Sequence, residues 1–402
     1  MAQKTESTTK PKPTATRAPD DTAQLTKLVS DRAKALELGD AQSYSATATG
    51  GQVAKDKRAA AAAKELPISS VTMAAEGTEI TGKRATMRVN MSYSFEDIET
   101  EYYKVSRLSA VKTPEGWKVE GDEPAAGAYA PWEYRRYTAR TSEHFLALAP
   151  AGMKVGSLMT DLEKGRARMK RGLPGVKAPA KLLVIVTRNS KDTKALTKDY
   201  RTLKSLVAVA EAQVAIDGPA EKVSAVSGQR VFILWRSYGK SNTDQRRITV
   251  AHELVHAALV KRSGGRIPAW LSEGIAMYAS GDQQAGDAGA LLSGAQLRDT
   301  SKQEATENAL SLTKLAKPTS LDRMSAIPLA FAYAYASAAA YAIADKYGPK
   351  ALLRLYSGFN SQKYNGPPGR KLSDKVVRGV LKTSLKSLEE DINAYARARS
   401  EF

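Results

Sequence analysis

Apolar residues change their spacing along the chain, and the changes mark out two folded blocks. Leu25, Leu28, Val29 and Leu36 recur at helical intervals and predict an opening helix. Met87, Val89, Met91, Tyr93 and Phe95 then alternate with Thr86, Arg88, Asn90, Ser92 and Ser94. That period of two belongs to a strand with one buried face. Another strand is expected over 102–111, then a Thr-Pro-Glu-Gly turn at 113–116 and a short strand at 117–119, which together read as a hairpin. The first block, 21–134, is thus expected to be a helix plus an antiparallel sheet.

The second block, 135–402, opens with short apolar runs at 144–149, 181–187, 212–216 and 230–235. These read as strands, with a helix predicted over 192–208. From 247 onward the pattern is almost wholly helical. A mixed sheet followed by helices places the chain in the α+β class. No repeat of fixed period occurs.

An apolar content of 42% is enough for a real core. The chain has no cysteine, which excludes disulfides, thiolate zinc ligands and a cysteine nucleophile. Its 61 Lys+Arg against 42 Asp+Glu give a formal charge of +19, spread along the length. Such a surface attracts anions in general. An anionic envelope polymer is a permitted partner. No arginine-rich helix, zinc finger or aromatic RNA-binding signature accompanies the charge, so no specific nucleic acid is expected. The basic run from Arg166 to Arg171 reads as a solvated helix face. No apolar run of about 18 residues could span a membrane. Residues 1–20, rich in Thr, Pro and Lys, read as a disordered tail or linker. No signal peptide is visible. A stalk left after removal of an upstream signal or anchor is one reading of that start, and a native disordered start is the other.

The chemistry concentrates at His252-Glu253-Leu254-Val255-His256. Four residues turn a helix by about 400°, so both imidazoles point the same way, one turn apart. That separation suits two ligands on one tetrahedral zinc. Glu253 lies about 100° around the helix from His252, beside the metal rather than on it. There it can accept a proton from water and return it to a leaving amine. Mostly apolar neighbours suggest that this helix is buried. A Gly264-Gly265 turn and Pro268 follow, predicting a helical hairpin that brings Glu273 back near His256 as a third ligand. Gly274 is expected to let the two hairpin helices approach closely.

His-Glu-x-x-His followed by Trp270-Leu271-Ser272-Glu273-Gly274 resembles the Peptidase MA-like gluzincins, over about 135 to the C-terminus and most strongly over 230–278. The resemblance implies a thermolysin-like core with one zinc ion per chain. It makes His252, His256 and Glu273 the ligands and Glu253 the general base. The strand at 230–235 matches the place of an edge strand that captures peptide by strand pairing, so Arg230, Val231, Phe232, Ile233 and Leu234 are expected to bind substrate. In similar proteins a Tyr-Ala-x-Ser-type segment carries a tyrosine toward the active site. Tyr335 is accordingly expected to donate to an oxyanion, with packing on an alanine-rich helix as the alternative. Met277 stands where gluzincins often place a second acidic residue to orient a histidine. The pattern of the first block resembles the nuclear-transport-factor-2-like cone.

The expected function is zinc-dependent hydrolysis of peptide or protein substrates, with an extracellular or envelope-associated location. A catalytically weak or inactive zinc-binding scaffold, or a cell-envelope binding protein, is the alternative.

Overall fold

The computed structural model describes residues 20–124, 129–197, 207–217, 222–259, 266–284, 312–313, 315, 326–362 and 366–399. The tail expected over 1–20 (apart from Asp20), the turn at 264–265 and most of 281–325 lie outside them.

The first block begins with three helices, α1 (Asp21–Glu37), α2 (Ala41–Ala46) and α3 (Gly51–Ala63). Asp20 starts α1 by accepting the Ala23 N–H at 2.7 Å, one of the amides that a helix cannot satisfy internally. An antiparallel sheet follows in the order β1 (Ile68–Thr81), β2 (Arg84–Phe95), β3 (Tyr102–Thr113), β4 (Gly116–Pro124). The alternation in β2 is realised: Ala85, Met87, Val89, Met91, Tyr93 and Phe95 are buried and the residues between them are not. The β3–β4 turn closes with Thr113 opposite Gly116, as the Pro-Glu-Gly signal predicts. Leu25, Leu28 and Val29 of α1 pack with Met87, Val89, Leu108 and Val119 on the sheet.

A short helix α4 (Pro131–Tyr134) leads into the second block. Its sheet has the order β5 (Tyr137–Thr141), β6 (Phe145–Pro150), β7 (Leu182–Thr187), β9 (Lys222–Leu234), β8 (Ala208–Asp217). The central strands β6, β7 and β9 are parallel, while β5 and β8 are antiparallel at the two edges. Between the strands lie α5 (Leu158–Gly172) and α6 (Ser190–Leu196). After them come α7 (Trp235–Tyr238), α8 (Thr243–Leu259), α9 (Ala269–Ser280), α10 (Ala326–Tyr347), α11 (Lys350–Asn360), α12 (Arg370–Leu381) and α13 (Leu385–Ala398).

The unbroken apolar runs of β6, β7 and β9 follow from burial on both faces. Phe145, Ala147, Val184, Val186, Val231 and Ile233 face the helical core. The residues between them, Leu146, Leu148, Leu183, Ile185 and Phe232, join Tyr93, Phe95, Tyr102 and Trp132 of the first block in another cluster. Hydration of such side chains would cost roughly 1.5–3 kcal/mol each, so this sheet face needs its cover. Polar contacts fix the junction. Gln213 of β8 accepts the Tyr103 N–H at 2.6 Å and donates to the Tyr103 carbonyl at 2.9 Å. The Tyr102 hydroxyl donates to the Gln229 carbonyl at 3.2 Å.

Two packing expectations change. A Cβ on Gly274 would meet the Ala336 carbonyl oxygen at 2.5 Å, so the close approach is to α10 and not to α8. The basic run on α5 is not simply a solvated face. Arg166 is buried and donates to the Pro179 carbonyl, while Arg168 reaches Asp244 of α8 and the Ser280 carbonyl of α9. A helix packed on two others has its long side chains drawn into the joint.

Candidate metal centre

Helix α8 packs against β8, the edge strand of the sheet, and carries His252, Glu253 and His256. Its apolar side, with Val250, Leu254 and Val255, is buried in the helical core. The neighbours α5 and α9 are close: a Cβ on Gly165 would lie 2.5 Å from a Val250 methyl. The end of α8 is held by the Tyr356 hydroxyl, which donates to the Leu259 carbonyl at 2.7 Å. Helix α9 starts after Pro268 and is anchored by buried Trp270, Leu271 and Ile275. Glu273 is thereby turned toward the histidine pair.

His252 Nε2 and His256 Nε2 are 3.1 Å apart. Glu273 Oε2 lies 3.2 Å from the first and 3.4 Å from the second. All three side chains are half-buried, and they form a group able to hold a metal ion. Burial alone would lower the His256 pKa, but the adjacent Glu273 carboxylate outweighs it and pushes the value up to about 9. Burial would raise the Glu273 carboxyl, and the two imidazoles override it and hold it well below the usual range. Three possible ligand atoms, two imidazole nitrogens and one carboxylate oxygen, therefore converge. Ligand atoms on a tetrahedral ion with bonds of 2.0–2.1 Å stand about 3.4 Å from one another. The observed separations match, and the donor types suit zinc.

Ser272 Oγ lies 3.4 Å from His256 Nδ1. Met277 is buried, so no carboxylate reaches the imidazoles from that position. Glu253 projects toward the sheet edge, where its Oε2 accepts the Ala210 N–H at 2.6 Å.

Residues 189–367 match the family model of the Peptidase MA superfamily. The matched stretch contains β8, β9 and the whole of α8 and α9. No curated protein and no solved structure matches the chain.

Two expected site assignments are overturned. Arg230, Val231, Phe232, Ile233 and Leu234 do not form an edge: β9 is bonded to β7 on one side and β8 on the other. Arg230 is buried, with its guanidinium on Glu211 and the Leu196 carbonyl. The chain returns through β8 before entering β9, and that earlier, antiparallel strand takes the edge. Tyr335 is also diverted. It is buried on α10, and its hydroxyl donates to Asn393 of α13 at 3.0 Å. The last helix packs against α10 and engages that side, which a reading of α10 alone does not reveal.

The contacts of Ser272 and Ala210 were missed. Ser272 was findable from its place beside Glu273. Ala210 had no local signal, because its role depends on which strand lies at the edge. A cavity of about 700 Å³ also opens in the first block, lined by Tyr44, Gln52, Asp56, Lys104, Trp132 and Glu133 among others. It shares no residue with the histidine cluster.

Proposed function

We propose that this chain is a zinc-dependent metallopeptidase, with His252, His256 and Glu273 as ligands and Glu253 as general base. The carrying observation is the convergence of two imidazole nitrogens and one carboxylate oxygen within 3.1–3.4 Å, on the helix that also bears Glu253. The match to the Peptidase MA superfamily over 189–367 supports a peptidase-like domain around that geometry.

Bound there, zinc would polarise a scissile carbonyl and lower the pKa of water to about 7. Glu253 takes the proton of the attacking water and later delivers it to the leaving amine. His256 is steadied by Ser272, and the α8–α9 contact holds the ligands in register. An extended peptide adds to the outer side of β8, where Ala208 and Ala210 leave backbone groups unpaired by β9.

The test is direct. Purified protein should hold one zinc per chain and cleave a peptide library. Chelation should abolish cleavage, and Glu253→Gln should suppress it with zinc retained. Zinc at full occupancy with no cleavage of any peptide would favour the scaffold reading, which buried Met277 motivates.

A further inference from the structure

The bond between Ala210 and Glu253 joins the edge strand to the side chain assigned the proton transfer. In the β8–β9 ladder the Leu234 N–H donates to the Val207 carbonyl, so Val207 turns its backbone groups toward β9. By the period of two, Val209 does the same, and Ala208 and Ala210 turn theirs off the sheet. An outward amide on an edge strand is ordinarily left to water or to an added strand. The Ala210 amide instead meets Glu253 Oε2 at 2.6 Å, across 43 residues of sequence. No bond to Glu253 Oε1 is seen among the described residues.

We propose that the Ala210 N–H is a positioning group for Glu253. It anchors one carboxylate oxygen and leaves the other free to face the reacting water. The outer edge of β8 is thereby divided in function. The Ala210 N–H serves the base, while the Ala208 N–H and carbonyl and the Ala210 carbonyl remain for the substrate main chain. The inference rests on Glu253 being the base, but the hydrogen bond itself can be tested without metal or substrate. A charge-assisted bond to a carboxylate is among the stronger hydrogen bonds and fixes rotamer as well as position. An oriented base needs both.

Amide hydrogen exchange on the metal-free chain reads the bond directly. The Ala210 amide should be protected relative to Ala208, and Glu253→Ala should remove that protection while β9 amides keep theirs. Ala210 exchanging as fast as Ala208 in the parent would overturn the proposal. Kinetics read the role. Ala210→Pro removes the N–H on an edge strand, where proline is tolerated. It should lower kcat at least about tenfold with KM changed by less than about twofold and zinc content unchanged. In a Glu253→Gln background the same substitution should add little. An equal further loss in that background would make the contact merely structural. If the parent cleaves no peptide, the peptidase reading fails and the positioning role falls with it. A protected Ala210 amide would then still stand as a strand-to-helix tie.

Discussion

The two blocks each bury a group of ionisable side chains, and they settle the charge in opposite ways. In the first block Arg32 meets Asp56 at 2.6 Å, and Lys104 meets Glu133 at 2.6 Å and Asp122 at 3.4 Å. Every carboxylate there faces a protein cation. Burial would lower the Lys104 pKa, but Glu133 and Asp122 outweigh it and hold the ammonium charged well above the usual lysine range. In the second block two imidazole nitrogens and the Glu273 carboxylate converge on one another, and no lysine or arginine joins them in an ion pair among the described residues. Burial is common to both. Complementary charges complete the first cluster internally, whereas the His252, His256 and Glu273 group is one that could hold a metal ion.

Glu253→Gln should break the comparison most sharply. It is expected to lower kcat by about 10²–10⁴ while zinc, measured by metal analysis, and thermal stability stay near the parent. Arg32→Met should do the reverse. It removes the cation facing buried Asp56 and should cost about 3–5 kcal/mol by denaturant unfolding, with zinc content unchanged. Zinc at a hundred times its Kd should stabilise the parent by about 2.7 kcal/mol, read as a rise in Tm. The rise should vanish in His256→Ala and persist in Arg32→Met. Gly274→Ala forces a methyl against the Ala336 carbonyl and should cost about 1–3 kcal/mol by the same unfolding measurement.

The smallest expected effect is on acid stability. Burial raises the Glu163 carboxyl, but bonds from Ser142 and His144 prevail and hold its pKa below the ordinary value. Its contribution is therefore complete above the unfolded value of about 4.3 and is lost as pH falls through the lower folded value. The parent should lose more Tm than Glu163→Gln between about pH 5 and pH 3. Equal losses in the two proteins would remove Glu163 from the acid response.

Local pattern was a good guide wherever the physics was local. The turn of a helix places His252 and His256 on one face whatever surrounds them, and the pleat puts Met87 through Phe95 on one side of β2. The fold-back that brings Glu273 to the histidines was also legible, from the Gly264-Gly265 turn signal and from Pro268 ahead of the next helix. The α5 basic run misled because long cationic side chains suit solvent and helix joints equally well, and sequence does not say which helices meet.

By itself, then, the sequence determined the α+β order of elements, the helical pairing of the imidazoles and the spacing that lets a third donor return. Tertiary structure alone decided that β8 and not β9 lies at the edge, that Tyr335 turns to Asn393, and that Ala210 meets Glu253. Backbone periodicity is set within a few residues. Strand order and the direction in which a buried hydroxyl finds its acceptor depend on partners tens of residues away, and only the assembled core selects among them.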